Sequence, residues 1–165
     1  MKWRWAELAN YGKGQGKKVG VMSRPLIGLH TFVGIGALFG GVAALLNPYE
    51  PLGMPVEALE YSPFDNYLIP GIILLTIVGL GSIISALMLY SGSRFRGCVS
   101  AIFGWALVIW IVVQCLMLRT IHFLHIVFLI IGLIEVILST ATMLRHQLFP
   151  VNVIIRIFRE KNLYP

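Results

Sequence analysis

The chain alternates between long apolar blocks and short polar joints. Four blocks stand out: residues 25–46 (PLIGLHTFVGIGALFGGVAALL), 67–90 (YLIPGIILLTIVGLGSIISALMLY), 98–118 (CVSAIFGWALVIWIVVQCLML) and 123–144 (FLHIVFLIIGLIEVILSTATML). Each is long enough to cross the hydrocarbon core of a bilayer, which takes about 20 residues of α-helix. Pro25 suits a first helical turn, and Asn47-Pro48 stops the helix that it opens. The joints SGSRFRG and RTIH are so short that the helices they connect must be antiparallel neighbours. The first block is too long for a cleaved signal peptide, and no small-residue cleavage motif follows it. The predicted fold is all-α, a four-helix transmembrane bundle.

Composition agrees. Of 165 residues, 58% are hydrophobic and 12% charged, with a mean hydropathy of +0.84. A soluble domain of this size would expose far too much apolar surface. The length suits one membrane domain, residues 25–144, with a basic tail at 1–24 and a basic segment at 145–165. Cys98 and Cys115 fall in one block, about 25 Å apart on a straight helix. They cannot bridge, so free, buried thiols are expected.

Charge then sets the orientation. The net charge is +6, but the cations flank the apolar blocks, so they read as topology signals and headgroup contacts, not as a nucleic-acid surface. Lys2, Arg4, Lys13, Lys17, Lys18, Arg24, Arg94, Arg96, Arg145, Arg156, Arg159 and Lys161 fall on one side, and Arg119 alone on the other. The acids Glu50, Glu57, Glu60 and Asp65 share the side of Arg119. The positive-inside rule predicts cytoplasmic N and C termini. Interfacial amphipathic helices are expected at both ends: Trp3 and Trp5 beside Lys2 and Arg4, and a C-terminal helix with Val151, Ile154, Ile155 and Phe158 on one stripe and Asn152, Arg156 and Arg159 on another.

The loop NPYEPLGMPVEALEYSPFDN, residues 47–66, has four prolines. They forbid a long regular element, although PVEALEY suits a helical turn or two. The loop is acidic, and Tyr49, Tyr61 and Phe64 would cap the bundle or meet a partner. Ser62 or Asp65 is the expected cap of the second helix. Small residues at Gly34, Gly36, Gly40 and Gly41, at Gly79, Gly81, Ser82 and Ser85, and at Gly97, Ala101 and Gly104 predict close helix contacts within the chain.

The candidate chemistry is sparse. Glu135 lies ten residues before Arg145, about 15 Å along a helix, close to mid-membrane. A carboxylate there is costly unless it is paired or neutral, which makes it a functional candidate or a hydrogen-bonding tie between helices. His30 and Ser82 lie near the same depth as candidate partners. A second polar cluster, Gln114, Arg119, His122 and His125, sits near the loop side. His122 and His125 are spaced to share a helix face. They could ligate a metal, but no third ligand is assured, so contact with headgroups and water is expected and no metal or cofactor is assigned. No phosphate-binding loop, GxSxG or HExxH is present, and an enzyme is not expected.

The stretches SPFDNYLIPGIILLTIVGLGSIISALML, GWALVIWIVVQ and FLIIGLIEVIL resemble uncharacterised small bacterial four-helix integral membrane proteins. The likeness is carried by Ser62-Pro63-Phe64 and Leu68-Ile69-Pro70-Gly71, spans roughly residues 25–144, and is looser toward the DoxX-like group. It implies the fold and a bacterial inner membrane, and carries no activity. The expected role is an accessory or structural subunit of a membrane complex, working among membrane lipids with a membrane protein partner or as a homo-oligomer. The alternative is a lipid- or small-molecule-binding, transporter-like bundle in which Glu135 and His30 line a polar cavity.

Overall fold

A computed structural model describes residues 23–145 and Val151. The interfacial helices expected at either end lie outside these residues, except for Val151, which is helical. The described chain forms four long helices: α1 (Ser23–Leu46), α2 (Leu68–Ser91), α3 (Arg96–Leu118) and α4 (Phe123–Arg145). All four are long and apolar enough to cross a membrane, and their ends fall within two residues of the predicted blocks. No strand occurs among the described residues. The chain is therefore a multi-pass membrane protein in build.

The helices form a closed ring in which α1 packs on α2, α2 on α3, α3 on α4 and α4 back on α1. Successive helices run antiparallel. Ser23, Ser91, Arg96 and Arg145 mark one end, here the terminal end, while Leu46, Leu68, Leu118 and Phe123 mark the loop end. The α1–α4 seam is the thinnest of the four.

Close approach of α1 and α2 depends on small residues. A Cβ added at Gly41 would lie 2.5 Å from the Leu75 Cβ and 2.9 Å from its backbone nitrogen. Only glycine lets the two backbones meet there. The α1 glycines read from the sequence as contact residues are not equal: a Cβ at Gly36 would meet only Phe128, at 3.9 Å, and one at Gly40 only Leu74, at 3.3 Å, whereas Gly34 and Gly41 make the closest approaches to α2. Opposite them α2 widens into a π-helical stretch, Leu74–Leu80, between two α-helical pieces. Such bulges occur mostly where function reshapes a helix.

The loop folds back over the bundle as a cap. It contains two short 3₁₀ turns, Pro51–Gly53 and Val56–Leu59. Leu59 and Tyr67 pack on Ala44 and Met117, and the Tyr67 hydroxyl donates to the Pro55 carbonyl at 3.1 Å. The expected cap of α2 is corrected: Asn66, not Ser62 or Asp65, accepts a backbone hydrogen bond at its start, from Leu68 N–H at 3.0 Å. Ser62 is used in its own turn, accepting from Phe64 N–H at 3.2 Å. Cys98 and Cys115 are free, but half-buried where buried thiols were expected.

Lipid is as apolar as leucine, so the outer face keeps large apolar residues and the interior keeps small and polar ones. That interior has two halves. Toward the loop end, Val33, Ala37, Val78, Leu107, Trp110 and Ile111 form an apolar core. Toward the terminal end, Ser23, His30, Ser82, Ser85, Arg96, Ser100, Glu135, Ser139 and Thr142 are all buried.

Candidate functional site

The polar half is organised around four side chains from three helices. His30 of α1 and Glu135 of α4 are both fully buried, and Nδ1 of the imidazole lies 3.2 Å from Oε1 of the carboxyl. On its other side, His30 Nε2 lies 2.6 Å from the Ser100 hydroxyl of α3. Ser100 in turn lies 2.7 Å from the Ser139 hydroxyl of α4. Ser139 donates to the Glu135 carbonyl one turn back. Gly104 permits this geometry: a Cβ there would lie 3.2 Å from the Glu135 Cβ and 3.3 Å from the Val136 nitrogen. Its absence lets α3 and α4 close on each other beside the acid.

These bonds fix the proton positions. A hydroxyl has one proton to give. Ser139 gives its proton to a carbonyl, which can only accept. It therefore accepts from Ser100, and Ser100 accepts from His30 Nε2–H. The imidazole proton sits on Nε2, and Nδ1 faces Glu135. A bare carboxylate facing a bare Nδ1 would leave an uncompensated charge fully buried, which is far too costly. The His30–Glu135 gap thus holds one proton, as neutral acid beside neutral imidazole or as imidazolium beside carboxylate. Net charge is zero in both forms. The contact is within ion-pair range but is not a formed hydrogen bond: His30 Nδ1, Glu135 Oε1 and Glu135 Oε2 all lack a hydrogen-bond partner.

The remaining polar residues continue toward the terminal end. Ser82, named with His30 as a partner for the acid, is fully buried, yet its hydroxyl is unpartnered. Ser85 and Ser23 share that condition. Arg96, which the sequence places in a solvated joint, is 1% exposed, and its Nε and Nη1 have no hydrogen-bond partner. It is N-terminal to Ser100 by one turn, so it lies at the mouth of the polar column.

The second predicted cluster divides. Arg119 stands over the Tyr61 ring, 4.1 Å from its centroid, and ties the α3–α4 joint to the loop. Gln114, His122 and His125 instead line a half-open cavity of about 330 Å³ at the loop end. All four helices line it, α2 through Leu74 and Val78, together with Leu52 and Met54 of the loop. The volume lies at the lower end of the range for small-molecule sites. His125 Nδ1 accepts the His122 backbone N–H at 3.1 Å, which removes that nitrogen from metal ligation. No group of three His, Cys, Asp or Glu that could hold a metal occurs among the described residues. His30 and Glu135 do not line this cavity. Val33, three residues beyond His30 on α1, lies between the two sites.

Sequence reading missed Ser100, Ser139, Trp110 and Arg96. Ser139 had a usable signal, since it lies four residues from Glu135 on the same helical face. Comparison of the chain with family models, with curated proteins and with solved structures gives no match.

Proposed function

We propose that this is a non-enzymatic, transporter-like membrane bundle that binds a small apolar molecule or lipid and takes up and releases a proton at the His30–Glu135 pair. The observation that carries the reading is the 3.2 Å contact between two fully buried titratable groups on α1 and α4. A tie between helices needs only a neutral hydrogen bond. In the closed bundle an imidazole and a carboxyl sharing one proton carry no net charge, and parting of the seam between their helices, the thinnest in the ring, would let water reach the pair and stabilise the carboxylate left when that proton leaves. The column of Arg96, Ser100, Ser139 and Thr142 supports access from the terminal end. The apolar layer of Val33, Val78 and Leu107 separates the pair from the loop-end cavity. A titratable pair with a buried polar column on one side and a cavity on the other suits alternating access.

Twelve cations on one side against one on the other support placing both termini in the cytoplasm. The resemblance noted in the sequence supports a bacterial inner membrane. The test is infrared difference spectroscopy of the protein in proteoliposomes across about pH 5 to 9, a range that spans ordinary imidazoles and buried carboxyls. A carboxyl C=O band that changes with pH and disappears in Glu135→Gln is expected. A Glu135 band that is constant across that range overturns the proposal.

A second reading, an accessory subunit of a membrane complex, is favoured by Tyr49, Leu52 and Tyr61, whose side chains are exposed on the loop. A stoichiometric partner retained in mild detergent is its test.

A further inference from the structure

The loop-end cavity is lined by apolar side chains and by hydrogen-bond donors in unusual proportion. Trp110 is 8% exposed, yet its Nε1–H has no partner. An indole N–H is a donor only, and a buried donor left unpaired is costly enough to need an explanation. Trp110 lines the cavity. So does Gln114, one turn further along the same helix, whose amide NH₂ supplies two more donors. His125 is buried, and its Nδ1 is occupied by the His122 N–H, so its ring proton is on Nε2, a third donor site. Among the described residues, no Lys, Arg, Asp or Glu lines the cavity. Phe128 of the cavity wall stacks on Phe32 of α1 with ring centroids 6.0 Å apart. Phe32 is exposed on the outer surface of the bundle, where the bilayer's acyl chains would lie.

From these features we infer that the cavity binds an uncharged molecule with an apolar body and a carbonyl oxygen, which accepts from Trp110 Nε1–H. Three features select that class. The apolar walls take a hydrocarbon body. The unsatisfied indole donor requires an acceptor atom that the protein itself does not supply. The lack of any charged side chain excludes a carboxylate or ammonium head, which would be desolvated without a counter-charge. A carbonyl oxygen has two lone pairs, so the Gln114 amide or His125 Nε2–H can share it. This inference names the ligand class for the small-molecule-binding reading above and rests on it. It does not depend on proton exchange at His30–Glu135.

The test uses purified full-length protein in a maltoside detergent, which has no carbonyl to compete. Three probes of equal chain length, methyl laurate, dodecane and laurate anion, are titrated and binding is read by calorimetry. The ester is expected to bind tightest, dodecane roughly two- to tenfold more weakly, the range for one hydrogen bond, and laurate weakest. Trp110→Phe keeps the apolar wall and removes the indole donor, so the ester's advantage over the alkane should shrink, and an unchanged advantage would overturn Trp110 as the donor. If that variant does not fold, Gly36→Leu at the cavity wall replaces it. A Cβ there meets only Phe128, at 3.9 Å, and the rest of the leucine would occupy cavity space, so ester binding should be abolished. Equal affinity for ester and alkane in the natural protein, or tighter binding of laurate, overturns the ligand class. Binding of no probe, with the infrared titration of Glu135 intact, overturns the cavity as a site and leaves the proton reading standing.

Discussion

His30 Nε2 of α1 lies 2.6 Å from the Ser100 hydroxyl of α3, a bond that reaches across the diagonal of the bundle between helices that are not ring neighbours. It joins the α1–α2 seam to the α3–α4 pair at the depth where the acid sits. Ser100 therefore matters beyond its size. Ser100→Ala leaves the imidazole N–H buried with no acceptor. The variant should lose about 0.6 to 2 kcal/mol, the range for interhelical hydrogen bonds in membranes. Ser82→Ala removes a buried hydroxyl that has no partner, so it should be neutral or stabilising. Unfolding in mixed micelles compares the two. Equal losses would remove the special standing of Ser100.

Glycine positions separate in the same way. Gly41→Ala places a methyl 2.5 Å from the Leu75 Cβ and against its backbone. The α1–α2 seam must open, at about 1 to 3 kcal/mol. Gly28→Ala meets nothing within 4 Å, and should gain up to about 1 kcal/mol from helix propensity. Thermal midpoints in detergent should move in opposite directions. A stabilising Gly41→Ala would refute the close approach of these helices.

Much of the fold was legible because the bilayer imposes one length on every span. The ends of all four helices follow from where apolar residues stop and from Asn47-Pro48. Glu135 was visible as the lone acid in mid-span, and His30 as the imidazole near its depth. The serines were not. Serine is common in membrane helices as a small packing residue, so Ser100 carries no mark until the ring order places α3 beside α4, and Ser139 carries only its spacing of four from Glu135. Arg96 read as a joint cation because it follows Ser-Gly-Ser-Arg-Phe, and only the early start of α3 turns it inward. The cavity depends on how α1 and α4 diverge from the apolar core, and the π-helical stretch of α2 depends on its contact with Gly41. Neither leaves a periodic trace in the sequence.

Orientation has a direct check. The membrane-length helix α2 (Leu68–Ser91) separates Glu57 in the loop from Ser93 in the α2–α3 joint, so the two should lie on opposite sides of the membrane. Cysteines introduced singly at these positions, on a background with Cys98 and Cys115 replaced, should react with an impermeant maleimide from opposite faces of intact cells or inverted vesicles. The acidic loop residue should label from outside, as the cation count requires. Labelling of both from one face would break the four-span topology.

Arg119 adopts a left-handed backbone with φ of 45° at the end of α3, and its guanidinium stands over Tyr61. The stacking offsets part of the backbone strain and holds the loop over the cavity. Tyr61→Phe keeps a ring face and should change little. Tyr61→Ala should cost about 0.5 to 1 kcal/mol, the range for an exposed cation–π contact, and should raise protease sensitivity of the 47–66 loop. If both variants behave alike, the ring face is not what holds Arg119.

The last expectation returns to the shared proton. His30→Leu strips Glu135 of its neighbour and strips Ser100 of its donor, while Glu135→Leu strips only the Nδ1 side. Each single change leaves one buried titratable group alone. Such a group must stay neutral or carry an unpaired charge in a low-dielectric interior. The double variant removes both and leaves an apolar contact between α1 and α4. The two losses should therefore be strongly non-additive, with an interaction energy of about 0.5 to 3 kcal/mol and a double variant more stable than the sum implies. Glu135→Gln adds a finer distinction. The amide keeps the shape and a donor toward Nδ1, so stability should hold, while the pH-dependent carboxyl band vanishes. Additive losses in the cycle would mean that His30 and Glu135, despite their 3.2 Å separation, do not share a proton in the folded protein.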